Sequence, residues 1–271
     1  MSTRNLNPNS FSSAFLHALS AEALRERAPA VDAPCAHESL SASYTFISTA
    51  RVIEAFRSAG FFPVEARQAL RARSALHARH LIRFRRRFET VALRDAIPEI
   101  LLLNAHDGTC AYQLRVGLYR AVCTNGLIVS QGVFPAFRVA HRGDVIADVV
   151  EAALRISERF EVLARTVDRM ERTRLDQLER LDFAAQALAL RFRGGRESGL
   201  EPSRLLAPRR AEDAGDDLWR TFNVIQENAL RGGLLRRTVL GRCTRTRGIT
   251  AIAEDVRLNS GLWDLALARA A

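Results

Sequence analysis

Arginine recurs at alternate positions in three stretches of this chain, and that spacing is its first sign of chemistry. Arg67, Arg71 and Arg73, then Arg83, Arg85 and Arg87, and finally Arg115 lie in segments where mostly apolar residues take the positions between, with Arg86 as the break in the rule. On a β-strand every second side chain points to one face, about 6.6–7 Å from the last, a spacing comparable with that of phosphates on an extended single strand. Guanidinium also lies flat against a base, so one residue type can serve phosphate and base together. These seven arginines are the candidate nucleic-acid-binding residues, with single-stranded DNA as the expected partner. Few aromatic residues accompany them, whereas single-strand platforms usually expose Phe, Tyr or Trp.

A second chemistry is metal-assisted hydrolysis of nucleic acid or nucleotides. His77, His80, His106, Asp107 and His141, with Glu99, are the residues that could bind a divalent ion and activate water. His77 and His80 stand three apart in a stretch that reads as a strand, which sends them to opposite faces. The simpler reading of His106-Asp107-Gly108 is a turn in which Asp107 accepts backbone N–H bonds. A polar cluster is also expected from His106, Asp107, Asn125, His141 and Arg142 together with Asn223, Gln226, Glu227 and Arg231. On a helix Asn223, Gln226 and Glu227 share one turn, and Arg231 lies four residues past Glu227. That group reads either as a nucleotide holder or as side chains satisfying the backbone of a loop such as 124–126. No catalytic residue, metal or cofactor is assigned. The chain has no lysine for a P-loop or a Schiff base and no G-x-S-x-G elbow. An interaction protein that counters a host defence system is a third option.

The elements that would position these residues follow from periodicity. Tyr44–Thr49 is a short strand-like run, after which Ser48 or Thr49 caps a helix over about 51–59, and Gly60 ends it. Residues 61–118 then alternate with a period of two as an antiparallel meander, with His106-Asp107-Gly108 as a tight turn. Apolar residues at three- and four-residue spacing predict a helix over 144–172 and a second over 173–192. Asp216 or Asp217 caps a helix that runs to Arg231, residues 238–248 read as loose, and two short helices, 249–258 and 261–270, close the chain. The expected fold is α+β: a meander sheet with one basic face, flanked by helices, followed by a helical C-terminal half packed on the sheet. Residues 1–42 read as a flexible lead-in, 43–143 as the sheet region and 144–271 as the helical region.

Composition bounds the partners. All 40 basic residues are Arg, against 30 acids, for a net charge of +10. Residues 51–142 hold 15 Arg against 6 acids, so the excess is local in a way uniform codon bias would not produce. A balance of this kind attracts polyanions. Cys35, Cys110, Cys123 and Cys243 form no C-x-x-C pair and are expected as reduced core thiols. No apolar run reaches the roughly 18 residues that span a bilayer, so no membrane partner is expected and the cytoplasm is the default location. A homo-oligomer stays open.

The ordered series of motifs is familiar. Tyr44-Thr45-Phe46-Ile47 before a helix, Leu103 to Thr109 around His106-Asp107-Gly108, Cys123-Thr124-Asn125-Gly126-Leu127, His141-Arg142-Gly143, and Trp219 to Asn228 followed by Arg231-Gly232-Gly233 resemble the family known as domain of unknown function 932. The similarity spans about 44–263. It departs at Ala105, where the family tends to show Ser, so a hydroxyl is not essential there. The resemblance implies a plasmid- or prophage-borne accessory protein, a setting in which strand annealing, repair and defence evasion are common tasks.

Overall fold

The computed structural model describes residues 18–41, 44–70, 72–86, 96–120, 126–129, 137–138, 145–193, 199–238 and 241–270. They fall into two compact units. One comprises residues 1–127 and 134–160, the other 128–133 and 161–271.

The first unit is built on the predicted meander. Strands β1 (Phe61–Gln68), β2 (His80–Arg86), β3 (Ala96–Asn104), β4 (Gln113–Arg120) and β5 (Gly126–Ile128) lie side by side in chain order, and β6 (Phe137–Arg138) also pairs with β4. The β1–β2, β2–β3 and β3–β4 pairs are antiparallel. The register puts Ile82, Phe84, Ile100, Leu102, Leu114, Val116 and Leu118 on one face. Helix α2 (Thr49–Ser58) packs against β1, with Phe56 ringed by Phe61 and Phe84, and α3 (Val145–Ser157) packs against β3 and β4. Ser48 caps α2 as its sequence predicts, accepting a bond from the Arg51 amide. Ahead of it, where composition suggests a flexible lead-in, α1 (Ala21–Arg27) buries Leu24 and the following turn buries Ala30 and Val31. That segment is tied to edge strand β1: Leu19 N–H donates to the Pro63 carbonyl at 2.7 Å and Ala30 N–H to Gln68 Oε1 at 2.8 Å.

The second unit holds α4 (Phe160–Arg172), α5 (Gln177–Arg191), α6 (Leu218–Arg231), a hairpin of β7 (Leu235–Arg237) and β8 (Cys243–Arg245), and α7 (Ile252–Arg269). Helix α6 is buried nearly all round and packs against α5 and α7. Three expectations change. The helix predicted over 144–172 is two helices, parted where Ser157 turns its hydroxyl back onto the Leu154 carbonyl at 2.8 Å and competes with the ladder. The two short C-terminal helices are one, α7, because Gly261 is not a stop. A Cβ there would sit 3.1 Å from Leu190 Cδ1, so the glycine serves close packing against α5. The basic segment 238–248, read as loose, contains strand β8 and closes the hairpin.

Candidate nucleic-acid interface

Alternation placed four of the seven arginines on one face, but two of those four, Arg83 and Arg85, are buried there. Arg67, Arg83, Arg85 and Arg115 do share one face, since Glu65 pairs with Arg83, Arg67 with Leu81, Arg83 with Leu101 and Leu101 with Arg115. The same register brings two carboxylates onto that face. Glu99 accepts from Arg83 Nη1 at 2.8 Å and from Arg85 Nε at 2.8 Å, and Glu65 lies 3.4 Å from Arg83 Nε and 3.1 Å from Arg67 Nε. The result is a ladder of alternating sign, Arg67–Glu65–Arg83–Glu99–Arg85. Arg85 ends it by stacking 3.9 Å above the Tyr119 ring.

Its middle is dry. The side chains of Arg83 and Glu99 are 1% and 0% exposed. Gly126 and Gly117 press on the Arg83 guanidinium so closely that a Cβ on Gly126 would meet its Cζ at 2.2 Å. A charge this deep is tolerated only when paired and hydrogen-bonded. Arg83 and Arg85 are therefore internal cations, which corrects the expectation that they stand on an open face. Arg115 is half-buried and donates twice to Gln113 Oε1, at 3.1 and 2.9 Å. Arg73 is exposed in the β1–β2 connection, outside the strands. Arg71 and Arg87 lie outside the described residues.

The histidines form a neutral cluster at the start of α2. Thr49 Oγ1 stands 2.9 Å from His80 Nε2 and 3.3 Å from His106 Nε2, and Asn104 donates to the same hydroxyl at 3.3 Å. Complete burial pushes the His80 pKa down to about 4, with the Ala78 carbonyl opposing. Burial, then the neighbouring His80, pushes that of His106 down to about 3. Asp107 takes the turn role instead: burial works against its charge, but the Thr109 hydroxyl at 2.6 Å and amide at 3.0 Å outweigh it and keep its pKa low. Glu99 is engaged in the arginine ladder, and His141, Arg142 and Asn125 lie outside the described residues. Among the described residues no three His, Cys, Asp or Glu side chains gather as a metal-binding group.

The α6 part of the polar cluster holds loops. Asn228 donates to the Leu205 and Ala207 carbonyls at 3.0 and 2.9 Å, Gln226 to Asn259 at 2.9 Å, and Asn223 to the Trp219 carbonyl at 2.7 Å. Glu227 receives Arg210 at 2.6 Å and stands 3.3 Å from Arg231. Asn228 and Glu227 thus fasten the loop 205–213, while Gln226 ties α6 to α7 and Asn223 bonds within its own helix; residues 124 and 125 of the loop expected there lie outside the described residues. Three cysteines also differ from expectation: Cys35 and Cys243 are exposed and Cys110 half-buried, all with free thiols, while Cys123 lies outside the described residues.

Accessible positive charge collects elsewhere, on the hairpin. Residues 231–248 contain six arginines and no acid. Arg237, Arg242, Arg245 and Arg247 are exposed. Among the described residues none of these four, nor Arg236, forms an ion pair; Arg236 leans on Thr244 Oγ1 at 3.4 Å and Arg245 on the Gly233 carbonyl at 2.7 Å. Paired backbone fixes the hairpin to the end of α6 and to residue 199: Gly233 N–H donates to Thr246 at 2.8 Å and Arg237 N–H to Gly199 at 2.9 Å. Between it and the end of α5 is a cleft of about 680 Å³, lined by Arg191, Phe192, Arg236, Arg245, Arg247 and Ile249 among others. Periodicity missed this site because its strands are three residues long. The signal that could have found it is the run of arginine without any acid.

Comparison with known proteins sets this geometry in a lineage. The family described as Domain of unknown function (DUF932) matches residues 36–263. UPF0380 protein YfjQ of Escherichia coli (strain K12) is 38% identical over 250 residues, covering 92% of this chain and 90% of its own length. UPF0380 protein YafZ of the same organism is 38% identical over 251 residues with the same coverage. No solved structure matches the chain.

Proposed function

The chain belongs to the DUF932 family, and for this member of it we propose nucleic-acid binding, with single-stranded DNA as the polymer and the β7–β8 hairpin as the contact. The observation that carries the reading is the exposed hairpin arginine that has no carboxylate partner among the described residues. Among the described residues that charge is left uncompensated, and a polyanion compensates it by displacing the counterions condensed on its phosphates. Half-buried Phe192 at the hairpin's foot supplies the aromatic surface that the sheet face withholds, since Tyr119 there lies beneath Arg85. An aromatic surface favours unpaired bases over a closed duplex. The setting we propose is mobile-element DNA metabolism, with strand annealing in recombination or repair as the task, as the resemblance to plasmid- and prophage-borne proteins implies. Binding, not catalysis, is the proposed activity.

The test is anisotropy of a labelled single-stranded oligonucleotide over a salt series. The logarithm of the binding constant is expected to fall linearly with that of salt, by about 0.7 per phosphate contacted, so with a slope of about −3.5 for five arginines. Absence of binding at low salt, or binding indifferent to salt, would overturn the proposal.

A further inference from the structure

The geometry points to a nucleotide pocket: the cleft between the end of α5 and the β7–β8 hairpin takes one nucleotide unit, its base against Phe192 and its phosphate among Arg236, Arg245 and Arg247. The inference rests on the nucleic-acid reading and deepens it, by assigning to one cavity the recognition of a single unit of the bound strand.

Three observations converge on that ligand class. The first is charge. Among the described residues the cleft is lined by four guanidinium groups, those of Arg191, Arg236, Arg245 and Arg247, and by no carboxylate. Arg191 Nη1 is buried with no hydrogen-bond partner among the described residues, although its Nη2 donates to the Arg247 carbonyl. Like charges held this close are mutually unfavourable, and an oxyanion with several acceptor oxygens relieves them together. Burial lowers the Arg191 pKa, nearby Glu254 opposes that shift, and the charge of Arg236 adds to it.

The second is an apolar surface in the same cavity. Phe192 and Ile249 line it beside the arginines. A site for bare phosphate has no use for either. The Arg191 and Arg236 guanidiniums stand 5.3 and 5.9 Å from the Phe192 ring centroid, which sets positive charge beside an aromatic surface. A planar base carrying a phosphate matches that pairing, because the ring stacks while the charge is neutralised.

The third is size and chemistry of the rim. A volume of about 680 Å³ falls within the range of small-ligand sites, about 300–1,000 Å³. Thr238, Thr244 and Thr246 add hydroxyls to the wall, where a sugar or base edge would find donors and acceptors.

The experiment is calorimetric titration of the full chain with two probes, adenosine diphosphate and inorganic pyrophosphate. Adenosine diphosphate is expected to bind roughly tenfold more tightly, the increment of one stacked base. Phe192→Leu should erase that preference while leaving pyrophosphate unchanged, Phe192→Tyr should restore it, and Arg247→Gln should weaken both probes. Circular dichroism establishes that each variant is folded. Equal affinity for the two probes, binding of neither, or indifference to Phe192→Leu would overturn the pocket. If an oligonucleotide binds with the salt dependence given above but adenosine diphosphate does not, the pocket fails and strand binding stands. If adenosine diphosphate binds and the oligonucleotide does not, strand binding fails and the cleft remains a mononucleotide site.

Discussion

Arginine does opposite work in the two units of this protein. In the sheet, Arg83 and Arg85 lie inside the fold with Glu99 between them, each 2.8 Å away. On the hairpin, Arg237 and Arg242 stand in solvent with no ionic partner among the described residues. The residue type is the same, and Arg237, like Arg83 and Arg85, lies in a strand. What differs is the neighbour: the register of β2 and β3 delivers a carboxylate to the first pair, and the hairpin sequence contains none to deliver. Arginine spacing therefore locates a face, while the acids across from it decide whether that face is structure or surface.

The sharpest way to break this contrast is to remove the acid. Glu99→Gln keeps the shape and strips the charge that two buried guanidiniums share, leaving Arg83 with its longer contact to Glu65. We expect a loss of about 3–5 kcal/mol in denaturant unfolding. A loss under about 1 kcal/mol would mean that the ladder is not what holds the arginines inside.

Acid should single out the sheet unit as well. His80 and His106 have folded pKa values below that of the unfolded chain, about 6.5, so the unfolded state binds more protons as pH falls. Their contribution is fully present above pH 6.5 and is lost between there and about pH 4 for His80 and about pH 3 for His106, at up to about 1.4 kcal/mol per pH unit for each ring. Thermal unfolding across that window checks it. Thr49→Val, which removes the hydroxyl both rings share, should lower stability at neutral pH while leaving the direction of the pH trend intact.

Packing offers a smaller probe. Gly126→Ala forces a methyl into the space of the Arg83 guanidinium, which its two carboxylates keep from yielding. A cost of about 1–3 kcal/mol is expected, read from the denaturation midpoint. The smallest stability effect belongs to the hairpin: Arg237→Glu with Arg242→Glu should change stability by no more than about 0.5 kcal/mol, because neither side chain has an ionic partner among the described residues.

Much of this fold was legible in the residues. Alternation gave β1 to β4 and the shared face of Arg67, Arg83, Arg85 and Arg115, and Ser48 and Asp217 marked the starts of α2 and α6. Depth was not legible. Glu99 sits in a strand that otherwise reads as wholly apolar, and only the β2–β3 register reveals it as the counterion of two arginines. The break expected between residues 258 and 261 is absent, and Gly261, inside α7, admits Leu190 as a close neighbour. The hairpin escaped periodicity because three residues are too few to alternate, although its charge was in plain view.

Oligonucleotide affinity of charge-reversed variants tests the division of labour most directly. Arg237→Glu with Arg242→Glu in the full chain should abolish single-strand binding at moderate salt while the thermal midpoint stays in place. Arg73→Glu with Arg115→Gln should leave most of the binding intact. The opposite pattern, with binding lost through the sheet-side pair and retained in the hairpin pair, would contradict the assignment of the hairpin as the nucleic-acid contact.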